Sequence, residues 1–417
     1  MQEDIFLLNL QNKTEFSSVL GNISQNKSPL LINGLLSSQR AHIAHYLSAN
    51  LEKKLVLVTS NEIEAERIYT DLEFYNPDRV LFIKNEETRF YAIEAKDRKE
   101  ESKRIESLIR LAQEDYDILV LSIETLMRKY LPKRLYVESK LDLEIGSIWN
   151  LAELVDLLVH YGYEREARVE GPGQISLRGG ILDIYLPTAE LPYRLEFFDD
   201  EIDSIRTFDP ISQKSIDKIK QITISPAREF LFREGFEEAA KRLSDDLSKS
   251  SNDDLAFDIE RISEGHYFEG MHKYIDYIYP DERKDLFSYI NKEAIFVIHE
   301  PNRVLEKGEN YFEEFSEDYK HALEKGFALK GQGELLYNLD YVTEYMGSHF
   351  IVLQSFLPKS VKGFNTASIV NFETREPVSF QGKIPALLEE IKYQKKQGYT
   401  IVLVERDRKS TRLNSSH

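Results

Sequence analysis

After the apolar run Pro29-Leu30-Leu31-Ile32 the chain reads Gly34-Leu35-Leu36-Ser37-Ser38-Gln39-Arg40-Ala41, and a helical pattern then runs from Ser37 to Ala49. That is the frame of a phosphate-binding loop, G-x-x-x-x-G-K-[ST], between a strand and a helix. In such a loop backbone amides cradle phosphates, the Lys neutralises them and the hydroxyl holds Mg2+. Here the second Gly is Gln39, the Lys is Arg40 and the hydroxyl residue is Ala41, while Gly34 is kept. Gln39 restricts the tight turn and Ala41 removes a metal ligand. The companion feature is an acidic pair ending a later strand, which holds Mg2+ and orients water. The run Ala294 to Ile298 instead ends in His299-Glu300-Pro301-Asn302. Two failures in matching places leave two readings, a nucleotide site that decayed or positions that never formed one.

Other reactive constellations are thin. His266, Glu269 and His272 have a spacing that a metal could use, but Tyr267, Phe268 and Gly270 between them suit a loop or a packed turn, so no metal site is assigned. The acids Glu62, Glu64 and Glu66, and those from Glu313 to Asp318, read as solvated helix faces. Serines and histidines show no triad, and no catalytic residue is assigned.

Residues 169 to 210 carry a different signal. Short strands with period-two alternation are separated by Gly171-Pro172-Gly173, Gly179-Gly180, Pro187 to Pro192 and Asp199-Asp200. In one of them Tyr193, Leu195 and Phe197 point one way, and Arg194, Glu196 and Phe198 the other. The first face is a core. The second sets an aromatic ring among charges, which is the composition of a contact surface, although single exposed apolar residues are common.

Composition narrows the class. The chain has 417 residues, 41% hydrophobic and 30% charged, with a net charge of −18 and no cysteine. These values suit a globular protein of several domains. Without cysteine there is no disulfide framework, thiolate metal site, iron–sulfur cluster or cysteine nucleophile, and a reducing cytoplasm is expected. No run approaches the ~18–20 apolar residues of a membrane span. The first residues, MQEDIFLLNL, carry acids where a signal peptide needs positive charge. The strong negative charge argues against a grip on a nucleic-acid backbone by this segment alone.

Strand-like runs at Leu30, Leu55, Val80 and Ile118 alternate with helical patterns, which implies a parallel sheet covered on both faces. A helix stripe at Leu151, Leu154, Val155 and Leu158 then leads into antiparallel strands that end near Ile224. An acidic helical stretch follows, and the strand Ala294 to Ile298 with a helix from Tyr311 to Lys325 restores the first grammar. The expected organisation is a split α/β domain, 1–132 and 230–349, with an inserted β module at 133–229. A third α/β unit is expected over 350–406, with a strand from Ala367, a helix from Ile384 and a strand from Tyr399. The last eleven residues, DRKSTRLNSSH from Asp407, look like the translation of a sequencing-adapter oligonucleotide, so the natural sequence is expected to continue differently after about Arg406.

The block EGPGQISLRGGILDIYLPTAELPYRLEFFDDEIDSIRTFDPISQKS, with its ending Ile224-Ser225-Pro226-Ala227-Arg228-Glu229-Phe230, resembles the UvrB-like region of the bacterial transcription-repair coupling factor family, Mfd. YFEGMHKYIDYIYPDERKDLFSYI, from Tyr267 to Ile290, resembles the family's matching later segment. The resemblance runs from the start to about Glu405. UvrB proteins similar to this region keep a working GKT, whereas the coupling factors have lost it, as Gln39-Arg40-Ala41 has here. The resemblance implies a split P-loop-NTPase-like (UvrB-like) α/β domain with an inserted antiparallel module. It also implies a protein that releases RNA polymerase stalled at DNA lesions by ATP-driven translocation on double-stranded DNA and recruits UvrA for excision repair. By motif match, the UvrA-contacting residues are Arg178, Arg194 and Phe198. ATP and Mg2+ would serve the motor elsewhere in the parent protein, and no cofactor is expected in this chain, which would not hydrolyse ATP.

Overall fold

The computed structural model describes residues 13–86, 98–231, 235–247, 253–357, 360–374 and 383–399, with residues 7, 90, 380 and 401. By contact the chain divides into residues 1–372 and 373–417.

In the first unit the opening helices are α1 (Thr14–Ser24), α2 (Ser37–Asn50), α3 (Glu62–Tyr75) and α4 (Arg98–Ala112), alternating with strands β1 (Leu30–Asn33), β2 (Leu55–Thr59), β3 (Val80–Phe82) and β4 (Ile118–Ser122). An insertion follows with β5 (Leu141–Glu144), β6 (Glu164–Arg165), β7 (Gln174–Arg178), β8 (Ile181–Ile184), β9 (Tyr193–Phe198), β10 (Glu201–Phe208), β11 (Ser215–Ile219) and β12 (Gln221–Ile224). The chain then returns with β13 (Ile295–His299), β14 (Phe350–Ser355) and β15 (Ser368–Asn371).

Among the described residues, seven parallel strands form one sheet in the order β15-β1-β14-β13-β2-β4-β3. Along every strand but β15, which buries only Val370, alternate residues enter opposite cores. Leu31, Val56, Val58, Leu119, Leu121, Phe296 and Ile298 join one cluster. Leu30, Ile32, Leu55, Leu57, Ile118, Val120, Ile295 and Val297 join the other. Burial on both faces is why these strands read as unbroken apolar runs.

Two expectations are corrected here. The third unit was expected from residue 350 with a first strand from Ala367, but β14 (Phe350–Ser355) and β15 (Ser368–Asn371) flank β1 in the large sheet, and the contact division falls at 372/373. Sequence distance misleads because a parallel neighbour is reached by a crossover, not by a hairpin. The helix expected from Tyr311 begins at Pro301 and runs to Glu324, since a proline in the first turn lacks only an N–H that the helix does not need. In the second unit the helix Ile384–Lys396 is described. The expected strand over 399–404, apart from residues 399 and 401, and the tail from Asp407 lie outside the described residues.

The insertion forms a six-stranded sheet, β11-β10-β9-β8-β7-β6, antiparallel except for the β6–β7 pair, on a two-stranded stem of β5 and β12. Ile175, Leu182, Ile184, Leu195, Ile202 and Ile205 share its inner face with the helix Leu151–His160, which supplies Leu154, Val155 and Leu158.

Candidate partner-binding face and the loop at Gly34 to Ala41

The outer face of the inserted sheet is built by register. Across β7, β8, β9 and β10, Ser176, Asp183, Arg194 and Arg206 stand in one row, and Arg178, Ile181, Glu196 and Ser204 in the next. Phe198 lies two residues beyond Glu196 on β9, opposite Glu201. The alternation read for Arg194, Glu196 and Phe198 therefore holds, with Leu195 fully buried behind them. Asp199, in the left-handed region at φ 51°, turns β9 into β10, which makes Phe198 the last strand residue before a hairpin. Its side chain is 75% exposed. Strand spacings place Phe198 and Arg178 roughly 12 Å apart on the same face.

The two arginines are not equivalent. Both converge on Asp183, whose side chain is 1% exposed. Arg194 donates from Nε to Oδ1 at 2.7 Å and from Nη2 to Oδ2 at 2.8 Å. It also donates from Nη2 to Oε1 of Gln213 at 2.9 Å, and its guanidinium lies 4.3 Å from the Phe208 ring centre. The Asp183 hydrogen bonds hold Arg194 more firmly protonated than a solvated arginine, against a smaller opposing effect of burial. Only 15% of its side chain is exposed. Arg178 donates once, from Nη2 to Oδ2 of Asp183 at 2.6 Å, and its side chain is 47% exposed. The face thus offers solvent an aromatic ring and a partly open guanidinium, with Arg194 as an internal support.

Asp183 was not foreseen. The available signal was an acid inside the apolar run Ile181-Leu182-Asp183-Ile184, because a charge buried among apolar neighbours needs a fixed partner.

In the loop compared with a phosphate-binding motif, Gln39 and Arg40 are engaged by neighbouring groups. Gln39 folds back so that its Oε1 accepts the Leu36 backbone N–H at 2.9 Å, which occupies an amide at the start of α2. Arg40, 260 residues away in sequence, pairs with Glu300 and hydrogen-bonds the Nε2 of His299. The opposite nitrogen of His299, Nδ1, lies 3.0 Å from Oε1 of Glu64. Burial lowers the His299 pKa despite Glu64, so the ring stays neutral, donating at Nδ1 and accepting at Nε2. Burial alone would raise the Glu64 carboxyl, but the His299 hydrogen bond and the Arg40 charge outweigh it and hold it below its usual range. Glu300 also accepts the Phe356 N–H at 3.0 Å. Ala41 is fully buried in the core below α2. Gly34 keeps a real constraint, at φ +83° with the Phe372 carbonyl 2.1 Å from where a Cβ would sit.

The remaining motif residues tie the module to the α/β body. Glu229 accepts from Arg104 Nε at 2.7 Å, Arg228 donates to Glu164 at 2.7 Å, and the Arg228 guanidinium lies over the Tyr267 ring. Burial would raise the Glu229 pKa, yet Arg104 and Arg128 outweigh it and bring it down to about 2. His272 donates from Nε2 to the Lys129 carbonyl at 2.8 Å, and burial, reinforced by Arg128, holds its pKa well below the ordinary value. His266 instead lies at the surface beside Glu264. These histidines are packing and surface residues of two different neighbourhoods.

The antiparallel module with its polar, arginine-bearing face is inserted into a parallel α/β body, and residues 141–230, which include it, match the family model of the UvrB interaction domain. Across 98% of its length the chain is 28% identical to the transcription-repair-coupling factor of Bacillus subtilis, covering 36% of that protein. It is 28% identical to the corresponding factor of Staphylococcus epidermidis strain RP62A over 93% of the chain and 34% of the relative. For that of Staphylococcus aureus strain MRSA252 the figures are 26%, 92% and 34%. The resemblance to transcription-repair coupling factors carried by the motif blocks is borne out over nearly the whole chain, which spans about a third of the length of these relatives. Among the described residues no helix is long and apolar enough to cross a membrane.

Proposed function

We propose that the chain is the UvrA-docking part of a cytoplasmic transcription-repair coupling factor. In this reading it recruits UvrA to sites where RNA polymerase has stalled at DNA damage, and it does no catalysis itself. The observation that carries the reading is the 75% exposed Phe198 on the arginine face of a module matching the UvrB interaction domain. An aromatic beside an arginine is the composition enriched in interface hot spots. The engagement of Gln39 by the Leu36 N–H and of Arg40 by Glu300, where a phosphate loop would need free donors, supports a non-catalytic role. Contact with RNA polymerase and double-stranded DNA, and use of ATP and Mg2+, belong in this proposal to the part of the relatives that the chain does not span.

Capture of purified UvrA by the immobilised chain tests the proposal. Phe198→Ala leaves the melting temperature unchanged and weakens capture by about 30-fold, the loss of a ~2 kcal/mol anchor. Arg178→Ala weakens it while sparing the fold. Capture by the Phe198→Ala/Arg178→Ala pair equal to wild type defeats the assignment.

A further inference from the structure

Asp183 stands at the centre of the outer face, directly opposite Ser176 on β7 and Arg194 on β9. A carboxylate so deeply buried persists only when its oxygens are satisfied. Arg194 does most of that, with two hydrogen bonds at 2.7 and 2.8 Å. Arg194 is in turn fixed by Gln213 and by the Phe208 ring beneath it, so this pair is a rigid piece of the sheet. Oδ2 of Asp183 takes one further bond, from Arg178 Nη2 at 2.6 Å. An arginine has five N–H donors in a planar fork. Asp183 engages the Nη2 end of Arg178, and nearly half of that side chain remains open to solvent.

We propose that Asp183 is a positioning residue of the docking face: anchored by Arg194, it orients Arg178 so that the open edge of its guanidinium is presented to a carboxylate on UvrA. This rests on the UvrA-docking reading. An arginine held in its bound orientation loses less rotamer freedom on association than a free one, which raises affinity without a new contact. Asp183 itself need not touch the partner, and Arg194 acts through it.

A double-mutant cycle on the full chain, with UvrA binding measured by surface plasmon resonance, tests this. Asp183→Asn weakens binding by about tenfold, the cost of ordering one long side chain on association. In an Arg178→Ala background the same substitution costs nothing further, because there is no guanidinium left to orient. A purely structural defect would persist undiminished in that background. Should Asp183→Asn fail to fold, Asp183→Asn/Arg194→Gln removes the buried charge with its counter-charge and leaves Arg178 unheld; the same tenfold loss is expected. Wild-type affinity in either variant, or full additivity with Arg178→Ala, overturns the proposal. Phe198→Ala in the same assay separates the two levels. If it weakens binding while Asp183→Asn does not, only the positioning role fails; if it changes nothing, the docking reading fails as well.

Discussion

Replacing Arg40 by alanine tests whether the contact between Arg40 and Glu300 is a structural joint. The Arg40 side chain is 8% exposed and that of Glu300 20%, so the pair is largely withdrawn from water. Removing one partner of a buried pair costs about 3–5 kcal/mol because the other charge is left uncompensated. The lower end applies here, since Glu300 keeps the Phe356 N–H at 3.0 Å and the Ser355 hydroxyl at 3.5 Å. The 372 residues of the first unit, at roughly 2.1 cal/mol/K of unfolding entropy each, carry about 0.8 kcal/mol/K. A loss of ~3 kcal/mol therefore lowers Tm by about 4 °C. Arg40→Ala/Glu300→Ala removes both charges and recovers about half of that, because an absent pair costs less than a broken one. Differential scanning calorimetry at pH 7 reads both. A single variant melting with wild type, or a double variant falling by the sum of the two single losses, refutes the idea that these residues hold the motifs together.

Three further outcomes are expected. Calorimetric titration with Mg2+-ATP at millimolar concentration gives no binding heat, because Gln39 and Glu300 occupy the donors a phosphate would use; binding at the affinity of a working loop would revive the nucleotide reading. Gly34→Ala destabilises by at least ~2 kcal/mol, through its positive φ and the Phe372 carbonyl, and shifts the urea midpoint without changing m. The stability difference between wild type and Glu229→Gln depends on pH. The Glu229 pKa is lowered from 4.5 to about 2 in the fold, so its contribution is full above 4.5 and is lost as pH falls towards 2. A difference that stays constant over that window in urea melts contradicts the Arg104–Glu229 clamp.

The strands of the large sheet were legible in the chain because their signal is local: Val56 and Val58 serve one core, Leu55 and Leu57 the other, and both must be apolar whatever the neighbours. The outer face of the module was legible for the same reason, since alternation along Tyr193–Phe198 sends Phe198 outward wherever the sheet lies. The spacing of Gly34, Gln39, Arg40 and Ala41 could likewise be compared with a phosphate loop from residue types alone. Long-range choice was not legible. Nothing near Ser368–Asn371 says that it pairs with β1, more than 300 residues earlier, and so the last domain boundary was misplaced. The hold of Asp183 and Gln213 on Arg194 was not legible either, because strand register sets Asp183 opposite it and a loop brings Gln213 against it. Arg40 and Glu300 meet only because β13 lies two places from β1 in the folded sheet. Side-chain period is a property of the strand, whereas the partner of a buried charge is selected by strand order and register, which exist only once the sheet has formed.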